Sequence, residues 1–171
     1  GLTVAGTGVY KPFYNSAGVG AILRRVDVKD SATFSPHCGN PTDWVLPGLR
    51  CEAIRFDPDA KLTIGTYPPN FTFETDFETL PAALTVCAPP ASVAAAGRAY
   101  PAITPHTPGM ALADGLFDCA TVQGGSPDWV LKNLNGTMAF VPSAGVAETT
   151  TTGTHWTGAK DGTLTDDANW S

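Results

Sequence analysis

An all-β fold, sandwich or barrel-like with few short helices, is what this sequence predicts, and three observations carry the expectation. Eighteen glycines and fifteen prolines punctuate 171 residues, too often for long uninterrupted helices. Stretches that alternate apolar and polar residues with the two-residue period of a half-buried strand recur along the chain. An Asp-Trp-Val-Leu tetrapeptide occurs twice, as Asp43-Trp44-Val45-Leu46 and Asp128-Trp129-Val130-Leu131, about half a chain apart.

The strands follow in order. Arg25-Val26-Asp27-Val28-Lys29 alternates charged and apolar residues, and Leu62-Thr63-Ile64-Gly65-Thr66-Tyr67 continues the same period. From Asn70 to Phe77 the pattern places Phe71, Phe73 and Phe77 on one face and Thr72, Glu74, Asp76 and Glu78 on the other. Leu84-Thr85-Val86-Cys87 reads as a strand ended by Pro89-Pro90. Leu134 to Val141 reads as another, approached through Asn135-Gly136, a dipeptide favoured where positive φ is needed. Thr149 to Trp156 is Thr-rich and suits a strand with a solvated face. Short helices are expected at Ala91 to Ala99 and Gly109 to Phe117. Gly1 to Gly8 reads as an arm ahead of the first clear strand, one able to reach a neighbouring subunit, as is the tail past Gly153.

The repeated tetrapeptide extends into its flanks. Gly39-Asn40-Pro41 precedes the first copy and Gly125-Ser126-Pro127 the second, and each copy runs on to Phe-x-Pro, at Phe56-Asp57-Pro58 and Phe140-Val141-Pro142. This points to a duplication, with residues 1–171 forming one β domain of two pseudo-equivalent halves, about 1–86 and 87–171. Trp44 and Trp129 then fill equivalent core positions. The alternative use of the four tryptophans, Trp44, Trp129, Trp156 and Trp170, is as stacking faces for a glycan.

Charge and cysteine usage narrow the partners. Ten basic residues against sixteen acidic ones give a net charge of −6 and a pI near 4.8, a poor match for nucleic acid or anionic membrane. No apolar run is long enough for a transmembrane helix, since Pro89 and Pro90 interrupt the best candidate, 82–96, so membrane insertion is not expected. The chain opens at Gly1-Leu2-Thr3 without a leader, as a processed product or an excised piece would. Cys38, Cys51, Cys87 and Cys119 show no Cys-x-x-Cys spacing. Their even number suggests disulfides in an oxidising compartment, with Cys38–Cys51 and Cys87–Cys119 favoured by order along the chain.

Signatures of chemistry are sparse. His37, His106 and His155 have no spacing that sets two imidazoles on one face, so no metal and no cofactor is expected. Asp57-Pro58-Asp59 and the acidic residues of 160–167 are turn-formers that lack the EF-hand pattern. Gly124-Gly125-Ser126-Pro127 is not a nucleophile elbow. Arg24-Arg25 have opposite side directions within a strand, as surface ion-pair formers would. Glu74, Asp76 and Glu78 stand on one strand face about 7 Å apart per step, the look of a solvated face that blunts edge pairing; paired-carboxylate hydrolysis, using Glu74, Asp76 or Asp57 with a histidine, is the lesser alternative.

At the end of the chain, Trp156-Thr157-Gly158-x-x-Asp161-Gly162 followed by Ala168-Asn169-Trp170-Ser171 resembles a segment of bacterial secreted and autotransporter-type surface β proteins. The resemblance covers this tail alone, and it departs from the pattern at Leu164, where an aromatic is usual. It implies a cell-surface or particle-surface protein. The expectation is a non-enzymatic structural protein, a subunit or domain of an extracellular assembly such as a phage or virus particle, a tail or a surface appendage. It would act by self-association or with other structural subunits; a carbohydrate-binding or adhesin module comes second and a hydrolase using acidic residues third.

Overall fold

A computed structural model describes residues 1–14, 21–38, 48–65, 71–124 and 127–145. The protein is mainly β. Its strands are β1 (Leu2–Val4), β2 (Val9–Tyr10), β3 (Phe13–Tyr14), β4 (Ala21–Val28), β5 (Thr33–Phe34), β6 (His37–Cys38) and β7 (Gly48–Phe56). They continue as β8 (Lys61–Ile64), β9 (Thr72–Phe77), β10 (Ala83–Cys87), β11 (Tyr100–Thr104), β12 (Ala120–Gln123), β13 (Trp129–Leu134) and β14 (Thr137–Pro142). A 3-10 helix spans Ala91–Ala96, within the first segment where a short helix was expected, and one short α-helix, α1, spans Asp114–Asp118, overlapping the end of the second and running one residue past it. Among the described residues no helix is long and apolar enough to cross a membrane.

The strands wind as stacked coils. A seven-stranded sheet runs β1-β4-β7-β9-β11-β14-β13, a five-stranded sheet runs β12-β10-β8-β5-β2, and β3 pairs with β6. Every pairing is parallel except those of β14 with β11 and β13. Each strand therefore pairs with its counterpart one turn of chain later: Leu2 lies opposite Val26, Leu23 opposite Cys51, Leu49 opposite Phe73, and Phe73 opposite Ile103. The two large sheets face one another across a shared core, where the Phe34 and Phe73 rings lie 6.3 Å apart. Where the sequence suggests a sandwich or barrel, the parallel strand-on-strand connectivity is that of a coil, as in a solenoid. Alternation alone does not distinguish the two, because a coil and a hairpin bury every second residue alike.

Inward columns build the core. In the smaller sheet Tyr10, Phe34, Leu62 and Leu84 stand in register, and the last three are fully buried. In the larger sheet Val26 and Ile54, and Leu49, Phe73 and Ile103, form columns exposed by 1% or less. A bulge at Glu52 shifts the register between Cys51 and Ala53 against β9 and so restores the inward facing of Ile54. The Gly1 to Gly8 segment is no free arm, since its Leu2–Val4 stretch is the first strand of the large sheet.

The first corner of the coil, between the large and the small sheet, is held turn on turn. Lys29 N–H donates to the Val4 carbonyl, Asp57 N–H to the Val28 carbonyl and Glu78 N–H to the Ile54 carbonyl, each at 2.8 Å. Carboxylates add a second ladder: Asp30 Oδ2 accepts from Gly6 N–H at 2.8 Å, and Asp57 Oδ2 accepts from Asp30 N–H at 3.0 Å. Gly6 and Asp30 both adopt positive φ here, 88° and 56°. Aspartate tolerates that region where its side chain bonds locally.

The 85-residue repeat does not map onto repeated structure among the described residues. Phe56 ends a strand paired parallel on both sides, whereas Phe140 lies in β14, paired antiparallel on both sides. The first tetrapeptide copy, with Trp44, lies outside the described residues. The second opens β13, the outer strand of a hairpin that ends the large sheet.

The expected disulfides are corrected. Cys51, Cys87 and Cys119 are free thiols. In the parallel pairing of β10 with β12, Cys87 lies opposite Gln123 and Leu84 opposite Ala120, so Cys119 stands about four residues, roughly 13 Å, further down the ladder, beyond disulfide reach. Cys51 belongs to the large sheet, opposite Leu23 and Thr75, whereas Cys38 belongs to the β3–β6 pair. Chain order misled because the coil, not sequence proximity, decides which residues meet.

Candidate functional site

Outward residues of the large sheet concentrate the charge. Register sets Arg25, Ala53 and Asp76 in one row, Arg50 and Glu74 in another, and Thr3, Asp27 and Arg55 in a third. Basic and acidic side chains thus meet across strands rather than along one. Arg50 Nε lies 2.8 Å from Glu74 Oε1. Arg25 Nε donates to both oxygens of Asp27 at 3.1 Å, and its two terminal nitrogens form a fork onto Glu78 at 2.7 and 2.8 Å. These bonds to Asp27 first, and then Glu78, raise the Arg25 pKa above its already high ordinary value.

The three carboxylates predicted to share one face do so, but each has its own partner. Glu74 also takes His106 Nδ1 at 2.8 Å; beside an ionised carboxylate that nitrogen is the donor. Asp76 Oδ1 accepts the backbone N–H groups of His106 and Thr107 at 2.9 and 3.1 Å, and its Oδ2 accepts the Thr107 hydroxyl. Burial works to raise the Asp76 pKa, yet the Thr107 and His106 bonds, aided by the nearby imidazole, outweigh it, and the net shift is downward. A general acid for hydrolysis needs the opposite shift. What this cluster does chemically is pin the segment after β11 to β9. Glu78 is taken up by Arg25, as above, and Asp57 caps the turn at Asp30.

Where the charged face meets the first corner, a cleft of about 240 Å³ opens, lined by Thr3, Asp27, Val28, Lys29, Arg55 and Asp57. Among the described residues no grouping of three His, Cys, Asp or Glu side chains is close enough to hold a metal ion. Among the described residues Arg55 and Lys29 form no ion pair. Sequence reasoning passed over both, because an unpaired cation is recognised only once the partners of its neighbours are known.

Of the four tryptophans, only Trp129 is among the described residues. It is 6% exposed and packs edge-on against Tyr100 and Phe140, with ring centroids 5.6 and 6.4 Å away. This is core packing rather than a ligand platform. Trp44, Trp156 and Trp170 lie outside the described residues, as does the 155–171 segment. Burial raises the pKa of the free thiols Cys51, Cys87 and Cys119, which disfavours the thiolate, and the Cys51 Sγ–H donates to the Ala53 carbonyl at 3.0 Å.

No family model, curated protein or solved structure matches this chain.

Proposed function

We propose that this protein is a structural module of an extracellular assembly and joins a second copy of itself through the first coil. The observation that carries this reading is the state of β2. Tyr10 heads the inward column of Phe34, Leu62 and Leu84, and its ring stacks on Phe34 at 6.3 Å. Yet it is 43% exposed, and its neighbour Val9 is 57% exposed. Among the described residues β1 and β2 each pair on one side only. An open sheet edge bearing apolar side chains is a template for strand pairing.

The two ends of the coil are not equivalent as joints. At the first coil β1 and β2 stand at the same level, so both sheets stop together. At the other end β14 and β13 carry the large sheet two strands beyond β12's level, a step of about 9.6 Å. A head-to-tail neighbour would meet only one sheet there. Two first coils related by a two-fold axis through both sheets extend both at once, with β1 against β1 and β2 against β2 in antiparallel pairs, giving a closed dimer.

The placement outside the cell rests on the resemblance of residues 155–171 to secreted surface proteins and on the low content of charged residues, 15%. The free thiols remove the disulfide argument for it. Native mass measured against concentration tests the joint. A dimer that Tyr10→Lys dissociates supports it; a monomer at every concentration, in wild type and variant alike, overturns it.

A further inference from the structure

We infer that the cleft at the first corner is a binding site for a small hydroxylated monoanion, a sugar acid. Three arginines stand on the charged face, and two have carboxylate partners: Arg25 holds Asp27 and Glu78, and Arg50 holds Glu74. Arg55 stands directly opposite Asp27 in register, but Asp27 gives both its oxygens to Arg25 Nε at 3.1 Å. Arg25 is fixed in turn by its fork onto Glu78. Arg55 has no ion-pair partner among the described residues. The Lys29 ammonium, on the same cleft, has no ion-pair partner among the described residues either.

The rest of the lining specifies the ligand further. Two cations facing one small space favour an anion, most directly a carboxylate, which a guanidinium binds through two parallel hydrogen bonds. Asp27 and Asp57 also line the cleft, so a second negative charge on the ligand would be repelled, which disfavours phosphate. Asp57 uses Oδ2 for the Asp30 N–H, leaving Oδ1 as an acceptor for a ligand hydroxyl, and the Thr3 hydroxyl is available as donor or acceptor. A volume of about 240 Å³ falls below the roughly 300–1,000 Å³ of drug-sized pockets and suits one sugar ring.

The test is an amide chemical-shift titration of the whole chain at low ionic strength with glucuronate, glucose and inorganic phosphate. Glucuronate is expected to give saturable shifts centred on Thr3, Lys29 and Arg55, with glucose giving none and phosphate binding more weakly. Arg55→Gln and Lys29→Gln, both at exposed positions, should each weaken glucuronate binding about tenfold or more without changing the rest of the spectrum. Arg24→Gln, at an exposed position outside the cleft lining, should leave it unchanged. No saturable shift with glucuronate, equal binding of phosphate, or undiminished binding by both cleft variants would overturn the inference. The Lys29 and Arg55 shifts and the effects of their variants lie outside β1 and β2, so the site can fail while the proposed joint stands, and the reverse.

Discussion

At the scale of single residues, Asp76 illustrates how an outward carboxylate becomes structural. Its oxygens gather two backbone N–H groups and a hydroxyl from a segment thirty residues away. Because its native pKa lies below the ordinary carboxylate value, the linked stability is present in full above the unfolded value, near ~3.9. It is lost as pH falls through the lower native value. Asp76→Ala should cost about 1–2 kcal/mol at neutral pH, and urea midpoints followed from pH 6 to pH 2 should fall less steeply in the variant than in the wild type. An identical acid limb in both would show that the carboxylate does not hold the segment. The sequence placed Glu74, Asp76 and Glu78 on one face correctly, since strand alternation requires it. It could not show that Arg25, Arg50 and His106 would neutralise or engage them, because those partners come from three other coils and loops.

Among the elements, the β13–β14 hairpin was read only in part: the sequence suggests a single strand from Leu134 to Val141, whereas Leu134 ends β13 and Asn135-Gly136 is the turn before β14. Two residues, Asn135 and Gly136, connect the strands with φ of 51° and 83°, the two positive values that a type I′ turn needs. Gly136 is doubly constrained, for a Cβ built there would lie 2.9 Å from both Ala111 Cα and Cβ. Gly136→Ala should therefore destabilise by more than 1 kcal/mol, read from the thermal midpoint, whereas Gly124→Ala meets only its positive φ of 71° and no neighbouring atom and should cost less. Equal losses would mean that the close approach to Ala111 is relieved without penalty. The parallel strands were legible one by one, with Phe71 and Phe73 inward and Val26 and Val28 inward as alternation demands. Their partners were not, because nothing in a five-residue pattern records that its neighbour lies 22 to 36 residues away along the chain.

For the whole molecule, stability is passed from coil to coil, since each strand leans on the one before and the one after. The first coil has a neighbour on one side only among the described residues. In hydrogen exchange on the isolated monomer, the amides of Leu2–Val4 and Val9–Tyr10 should exchange faster than those of β7 to β10, and dimer formation should slow them. Uniform exchange through all coils would indicate one cooperative block instead. The coil also contains a gauge. Between the two large sheets the first corner takes four residues in each of the first three coils, 5–8, 29–32 and 57–60, where one turn's carboxylate meets the preceding turn's backbone. The return path from the small sheet to the next coil's large-sheet strand has no such rule: from β8 it takes seven residues and from β10 twelve. The fourth and fifth coils relax this gauge, with five residues at 78–82 and fifteen at 105–119, so the carboxylate ladder through Gly6, Asp30 and Asp57 sets the corner length only in the coils it ties together.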